Sequence, residues 1–329
     1  MGSAMMRHRW RRIVSLLVAS VLVTVPGGPV SAGEDGGFCP DELQPPPGIT
    51  IHTSDPLEDA YRETLCEMIG AFFRVFPEEE GVLQANIYVE RTRAGGARRL
   101  ARLSGTSVAA AERTFQDRNG AATGRNVVLI ITKGVVVAPE FLRRLVPHEL
   151  AHVLQNRYRG NRRSLSWMVE GGAMYLEAYI EERTAGLWPT SRRGFGSLLF
   201  WQERGSDLNL LPLREMEPRS RFQGSDWMIA YPSAYVAFGY LLGEDPEAGV
   251  AAYYRCFLRG RGGFPCFGYA SKREFYRAYG RYAEEGYGII FDLETFRAKL
   301  RAREVPAPAL IRCGEVRGPL RAQLRMCVS

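Results

Sequence analysis

Apolar side chains recur at three- and four-residue spacing between residues 55 and 76, at Leu57, Tyr61, Leu65, Met68, Ile69, Phe72 and Phe73. That period belongs to a helix with one buried face. Asp55-Pro56 supplies its start signal and Pro77 its stop. The pattern before it is different. ITIHT at 49–53 alternates, as a half-buried strand does, and GVLQANIYVE at 81–90 reads the same way. Residues 94–116 have a weak helical pattern broken by Gly95-Gly96 and Gly105. NVVLIITKG at 126–134 is a continuous β-branched run, the strongest strand signal in the chain. From Pro139 onward the helical period dominates, with helices expected at 139–157, 168–183, 194–204, 231–243, 246–258, 272–282 and 292–303. Strands come early and helices late, an order that points to an α+β fold rather than an alternating α/β one. No internal repeat interrupts it.

The two ends stand outside this pattern. Arg7, Arg9, Arg11 and Arg12 precede an apolar run from Ile13 to Val25, and the small residues Val30-Ser31-Ala32 follow. This is the layout of a secretory signal peptide, residues 1–32, with cleavage after Ala32, and an uncleaved membrane anchor is the alternative reading. The run is shorter than the ~20 residues a spanning helix needs, and no other long apolar run follows it, so no membrane association is expected once the signal is removed. Residues 33–48, rich in Gly, Pro and acid, read as an extended arm. Residues 49–303 make the expected domain. Residues 304–329, with several Pro and Gly and two cysteines, read as an irregular tail.

Removing the signal also changes the charge. The whole chain is +7, but four of its 43 basic residues and none of its 36 acidic ones lie in residues 1–32. The remaining 39 basic against 36 acidic side chains leave the mature chain near +3. That is mild, and no basic patch interleaved with aromatic platforms appears, so nucleic acid is not expected as a partner. All six cysteines follow the signal, and an even count in an exported chain suggests disulfides. Six cysteines allow fifteen pairings. Sequence proximity favours Cys39–Cys66, Cys256–Cys266 and Cys313–Cys327, the last clamping the tail. None has the spacing of a cysteine zinc cluster.

Candidate chemistry is concentrated in VPHELAHVLQ, residues 146–155. Two of the chain's four histidines, His148 and His152, stand one helical turn apart, with Glu149 beside the first. Imidazoles so placed can share one metal ion, and the acid between them can serve as general base. A pair of histidines needs a third ligand. Glu170, in WMVEGGAMY (167–175), lies on the next helix after a polar, Gly-containing turn, and antiparallel packing of the two helices would bring it to the histidines. The bare backbone at Gly171, Gly172 and Ala173 would permit close packing against the first helix. Pro147, directly before His148, raises the question of whether that helix starts or bends there.

The combination of His148-Glu149-x-x-His152 with Trp167-Met168-Val169-Glu170-Gly171-x-Ala173-x-Tyr175 resembles the gluzincin metallopeptidases. More narrowly it resembles the peptidase-MA-like domains of thermolysin fold, over roughly residues 49–300. The resemblance implies a zincin architecture: a small N-terminal mixed β-sheet with helices, a mainly helical subdomain, and an active-site cleft between them. It implies one Zn²⁺ held by His148, His152 and Glu170, with Glu149 as general base on a zinc-bound water. In AYPSAYVAFGYL, residues 230–241, similar domains carry a tyrosine that points at the site. Tyr231 holds that place and is the implied oxyanion donor; Tyr235 is the alternative donor, and both read equally well as aromatic core. Substrate would add as a strand to an edge beside the zinc helix, either Gly120-Ala121-Ala122-Thr123 or the buried run from Asn126. Where thermolysin keeps an Asp four residues past its ligand Glu, this chain has Met174, leaving Glu177 as the candidate partner for a histidine. No exopeptidase signature accompanies the motif.

The expectation is therefore an exported, monomeric zinc metallopeptidase acting on peptide or protein substrates. A non-catalytic metal-binding or scaffold protein on the same fold, and a zinc hydrolase of a non-peptide substrate, are the alternatives.

Overall fold

The structure, a computed structural model, describes residues 38–116, 118–131, 139–159, 165–185, 210–223 and 227–287. Among them are a four-stranded sheet and eight α-helices, an α+β fold with a small mixed sheet. The strands are β1 (Ile49–Thr53), β2 (Ala85–Glu90), β3 (Gly120–Thr123) and β4 (Asn126–Ile130), in the spatial order β1-β2-β4-β3. β1, β2 and β4 run parallel and β3 is antiparallel to β4. The early half of the chain is thus built of parallel crossovers, which the order of elements alone did not reveal.

Both faces of this sheet are covered. Val127, Leu129 and Ile131 face the main core, and Val128 and Ile130 face a smaller one, so β4 is buried on each side. A strand buried on both faces reads as a continuous apolar run, which accounts for NVVLI. α1 (Asp59–Val75) packs into the main core through Leu65, Met68, Ile69, Phe72 and Phe73. It begins four residues later than Asp55. The β1–β2 ladder extends to Ser54, whose N–H donates to the Val89 carbonyl, and Arg91 donates to the Pro56 carbonyl, holding that connection out of the helix. The second core is made by α2 (Arg93–Ser104) and α3 (Val108–Thr114). Gly105, at φ 68°, ends α2 in the left-handed conformation and Ser107 caps α3, which splits the weak 94–116 pattern in two. β2 starts at Ala85 rather than 81 because Gly81, at φ 69°, turns the chain there.

The later helices form the other wall. α4 (Glu140–Arg159) runs unbroken through Pro147. Proline removes the hydrogen bond to the Arg143 carbonyl and costs about 3 kcal/mol in a helix interior. Burial of Leu142, Leu145, Val146, Leu150, Ala151, Val153 and Leu154 along the same helix outweighs it. α5 (Ser166–Ala185) is buried on nearly every side, between α4 and α6 (Trp227–Leu242). The chain then passes through α7 (Pro246–Ala251), a π-helical segment (Ala252–Arg259) and α8 (Lys272–Tyr287).

The bare backbone of α5 is used differently from the expectation. A Cβ on Gly171 would stand 2.3 Å from the Ala234 carbonyl oxygen of α6, whereas Gly172 faces Gln155 of α4, Phe238 and Tyr253. Close approach is therefore to α6 as well as to α4. Cys39 pairs with Cys66 and Cys256 with Cys266, their Cα atoms 5.8 and 5.7 Å apart, so the arm is tied to α1. No described helix is long and apolar enough to cross a membrane. The expected signal segment, the expected helices at 194–204 and 292–303, the expected tail and the expected Cys313–Cys327 pairing lie outside the described residues.

Candidate metal centre

α4 and α5 are antiparallel: His152 meets Glu170 while His148, earlier on α4, meets Glu177, later on α5. This brings His148, His152 and Glu170 together, one ligand atom of each within 4.8 Å of the others, the one such convergence of His, Cys, Asp or Glu among the described residues. The Nε2 atoms of His148 and His152 are 3.2 Å apart. Glu170 Oε2 lies 3.4 Å from His152 Nε2 and 3.8 Å from His148 Nε2.

The protonation of the imidazoles follows from their neighbours. His148 Nδ1 lies 3.2 Å from Glu177 Oε2 and donates to it. Glu177 is itself anchored by Arg144, whose Nε is 2.7 Å from Oε1. His152 Nδ1 is 2.9 Å from Gln155 Oε1. Gln155 spends its amide N–H₂ on the Val169 carbonyl at 2.9 Å and the Tyr253 hydroxyl at 3.0 Å, so its oxygen faces the histidine and can only accept. In the neutral form that can bind a metal, both imidazoles therefore carry the proton on Nδ1 and aim the Nε2 lone pair at a common point. Two lone pairs and a carboxylate oxygen facing one another repel unless a cation lies between them. Donor atoms at ~2.0–2.1 Å from a tetrahedral zinc would stand about 3.3–3.4 Å apart, close to the triangle found here. Glu170 Oε2 is also buried with no hydrogen-bond partner, and an acceptor in that state suits a metal. The residues fit a single metal ion.

Glu149 completes the arrangement. It is 4% exposed, and its Oε2 also lacks a hydrogen-bond partner. Burial raises its pKa above the usual carboxylate range, against the pull of His148 and His152. Burial works in the same direction on Glu170, but without a metal the protonated imidazole of His152, then Arg118 and His148, overcome it and hold that carboxyl well below the usual range. Burial, then the charge of Glu170, keep the Tyr231 phenol protonated far above its ordinary pKa. The Tyr231 ring is 6.4 Å from that of His148, and the residue lines the cleft beside Glu170. Tyr235 instead stacks on Tyr175 at 5.7 Å, away from the cleft lining. Of the two, Tyr231 lines the cleft.

No protein-family model matches the sequence, and no curated protein matches it either. The functional reading rests on the site itself.

That site opens into a cleft of about 790 Å³ whose walls include β3, α4 and α5, with Tyr231 of α6. Among the described residues β3 pairs on one side only, with β4, so it is the sheet edge on this flank; β4 is interior. A Cβ on Gly120, the first residue of β3, would stand 2.5 Å from Glu149 Oε1 and 2.6 Å from Leu145 Cδ1. The edge strand passes the acid at the one side chain small enough to allow it. Of the residues expected from the sequence, the structure brings His148, His152 and Glu170 together, with Glu149 and Tyr231 lining the same cleft and Glu177 beside His148. Sequence reasoning missed Gln155, Arg144, Arg118 and Gly120. Arg144 and Gln155 stand at i−4 from His148 and i+3 from His152 on one helical face, a signal that a wheel of α4 contains. Arg118 and Gly120 arrive from the sheet and leave no local trace.

Proposed function

We propose that this chain is an exported zinc-dependent metallopeptidase of the gluzincin, peptidase-MA-like kind, with a thermolysin-like zincin fold. The observation that carries the proposal is the convergence of two Nε2 lone pairs and one unpartnered carboxylate oxygen beside buried Glu149, at the foot of an edge strand. His148, His152 and Glu170 would hold the ion. When bound, zinc supplies a Lewis acid and lowers the pKa of water toward ~7.

The remaining work belongs to the chain. β3 offers its free backbone edge to an extended peptide, which fixes the position of the scissile carbonyl. Glu149, its basicity heightened by burial, takes a proton from the attacking water and delivers it to the leaving amine. Tyr231 stays protonated and donates to the carbonyl oxygen as negative charge grows on it. The buried surroundings of Glu149 and Glu170 keep bulk water from competing for these groups.

Purified mature protein tests this directly. Casein or a peptide library should be cleaved, cleavage should stop with chelator and return with zinc, and Glu149→Gln should abolish it. A zinc-loaded wild type that cleaves nothing would refute the peptidase reading.

A further inference from the structure

Gln155 keeps the proton of His152 on Nδ1, and part of what holds Gln155 comes from far along the chain. Gln155 is 1% exposed, so bulk water does not compete for its amide. The two ends of a glutamine amide have nearly the same shape and opposite polarity. Turned over, the amide would point its N–H₂ at His152 Nδ1 and drive the ring proton to Nε2, the atom that must face a metal. The Val169 carbonyl of α5, 2.9 Å from Gln155 Nε2, can only accept and so sets the sense of the amide. One bond still leaves the last torsion of the side chain soft. The Tyr253 hydroxyl, 3.0 Å from the same nitrogen, takes the second N–H and fixes that torsion.

Tyr253 is held in turn. It lies in the π-helical segment Ala252–Arg259, a kind of turn found most often at functional sites. Two consecutive tyrosines of this segment are buried, Tyr253 and Tyr254. The Tyr253 ring meets Phe238 of α6 edge-on at 4.8 Å and stacks on Phe257 at 5.7 Å. Tyr254 donates to Glu79, which also accepts from Tyr158 of α4, and Cys256–Cys266 closes the segment. Gly172 of α5 makes the room. A Cβ there would stand 3.1 Å from Gln155 Nε2, from Tyr253 Oη and from Phe238 Cε2, so a side chain at 172 would press on the whole arrangement.

We infer that Tyr253 is a positioning residue of the metal centre: through Gln155 it fixes the Nδ1–H form of His152, and with it the affinity of the site for zinc, without touching the ion or the substrate. The inference rests on the zinc reading of the site.

The test is the zinc affinity of the full-length mature protein, measured by competition with a chromogenic chelator in a double-mutant cycle. Tyr253→Phe keeps the ring contacts and removes only the hydroxyl. It should weaken zinc binding by about three- to tenfold. Gln155→Leu should weaken it more, and adding Tyr253→Phe to that variant should change Kd by less than about twofold, because the hydroxyl then has nothing left to position. Tyr254→Phe is the control for stability. It removes the neighbouring hydroxyl, which serves Glu79 instead, and should lower Tm with the Kd for zinc unchanged. A second readout is the Nδ1–H proton of His152 in zinc-loaded protein carrying isotope-labelled histidine, assigned by its loss in Gln155→Leu. Its exchange with water should quicken in Tyr253→Phe and not in Tyr254→Phe. An unchanged Kd in Tyr253→Phe, or the same loss in both backgrounds, overturns the role of Tyr253 and leaves the three-ligand centre intact. A wild type that binds no zinc overturns the centre and this role together.

Discussion

The positions of single atoms decide what this site can do. Gln155 and Glu177 do not face the common point of the ligands, yet they set which nitrogen of each histidine carries the proton. Replacing either with a side chain that cannot accept, Gln155→Leu or Glu177→Leu, should weaken zinc binding by about 10- to 100-fold, measured by competition with a chromogenic chelator. Glu149→Gln should keep the metal and lose about 10²–10⁴-fold in kcat. Tyr231→Phe should lose about 10²–10³-fold in kcat with little change in KM, because its hydrogen bond strengthens as charge develops. Gly120→Ala puts a methyl group where Glu149 Oε1 stands, at 2.5 Å, and should lower kcat with zinc stoichiometry unchanged. The meeting of His148 with His152 was legible in the sequence because a helix turns a spacing of four into a shared face. Gly120 was not, because its meaning depends on which strand the fold brings to the helix.

At the scale of elements, the packing of α5 against α6 determines where Glu170 sits. Gly171 is the point of closest approach, with a hypothetical Cβ 2.3 Å from a backbone oxygen that cannot swing aside. Gly171→Ala should destabilise by about 1–3 kcal/mol and depress the midpoint of thermal unfolding by several degrees. Gly280, on α8, has nothing within 4 Å of its Cβ position, so Gly280→Ala should shift the midpoint the other way, by up to ~1 kcal/mol in helix propensity. Equal shifts of the same sign would show that backbone propensity, not the helix contact, governs both. Most helices and strands were legible from period alone, and their ends were displaced where side chains or turns intervened, as with Arg91 at the start of α1 and Gly81 before β2. Pro147 is the instructive case. Local chemistry argues for a break, and the burial of seven apolar neighbours along α4 carries the helix through it.

For the whole molecule, the sheet and the helical wall are two sides of one cleft, and each supplies what the other lacks: an edge strand from the first, the converging histidines and glutamates from the second. The parallel order of β1, β2 and β4 was not legible, since strand pairing is non-local and the alternation of faces fixes burial without fixing neighbours. The Cys39–Cys66 and Cys256–Cys266 pairs close loops of 27 and 10 residues, for which chain entropy gives about 3–4 and 2–3 kcal/mol respectively. Reductant should therefore lower the unfolding midpoint of the mature chain, read by differential scanning calorimetry. Zinc should raise it, since a ligand that binds only the folded state stabilises by about 4 kcal/mol at a thousandfold excess over Kd. The central claim is the three-ligand centre, and calorimetric titration of zinc into the chelator-stripped mature protein addresses it most directly. One equivalent should bind the wild type and Glu149→Gln alike, and binding should be lost in His152→Ala and in Glu170→Ala. Absence of a stoichiometric site, or one that survives both ligand substitutions, would contradict the account.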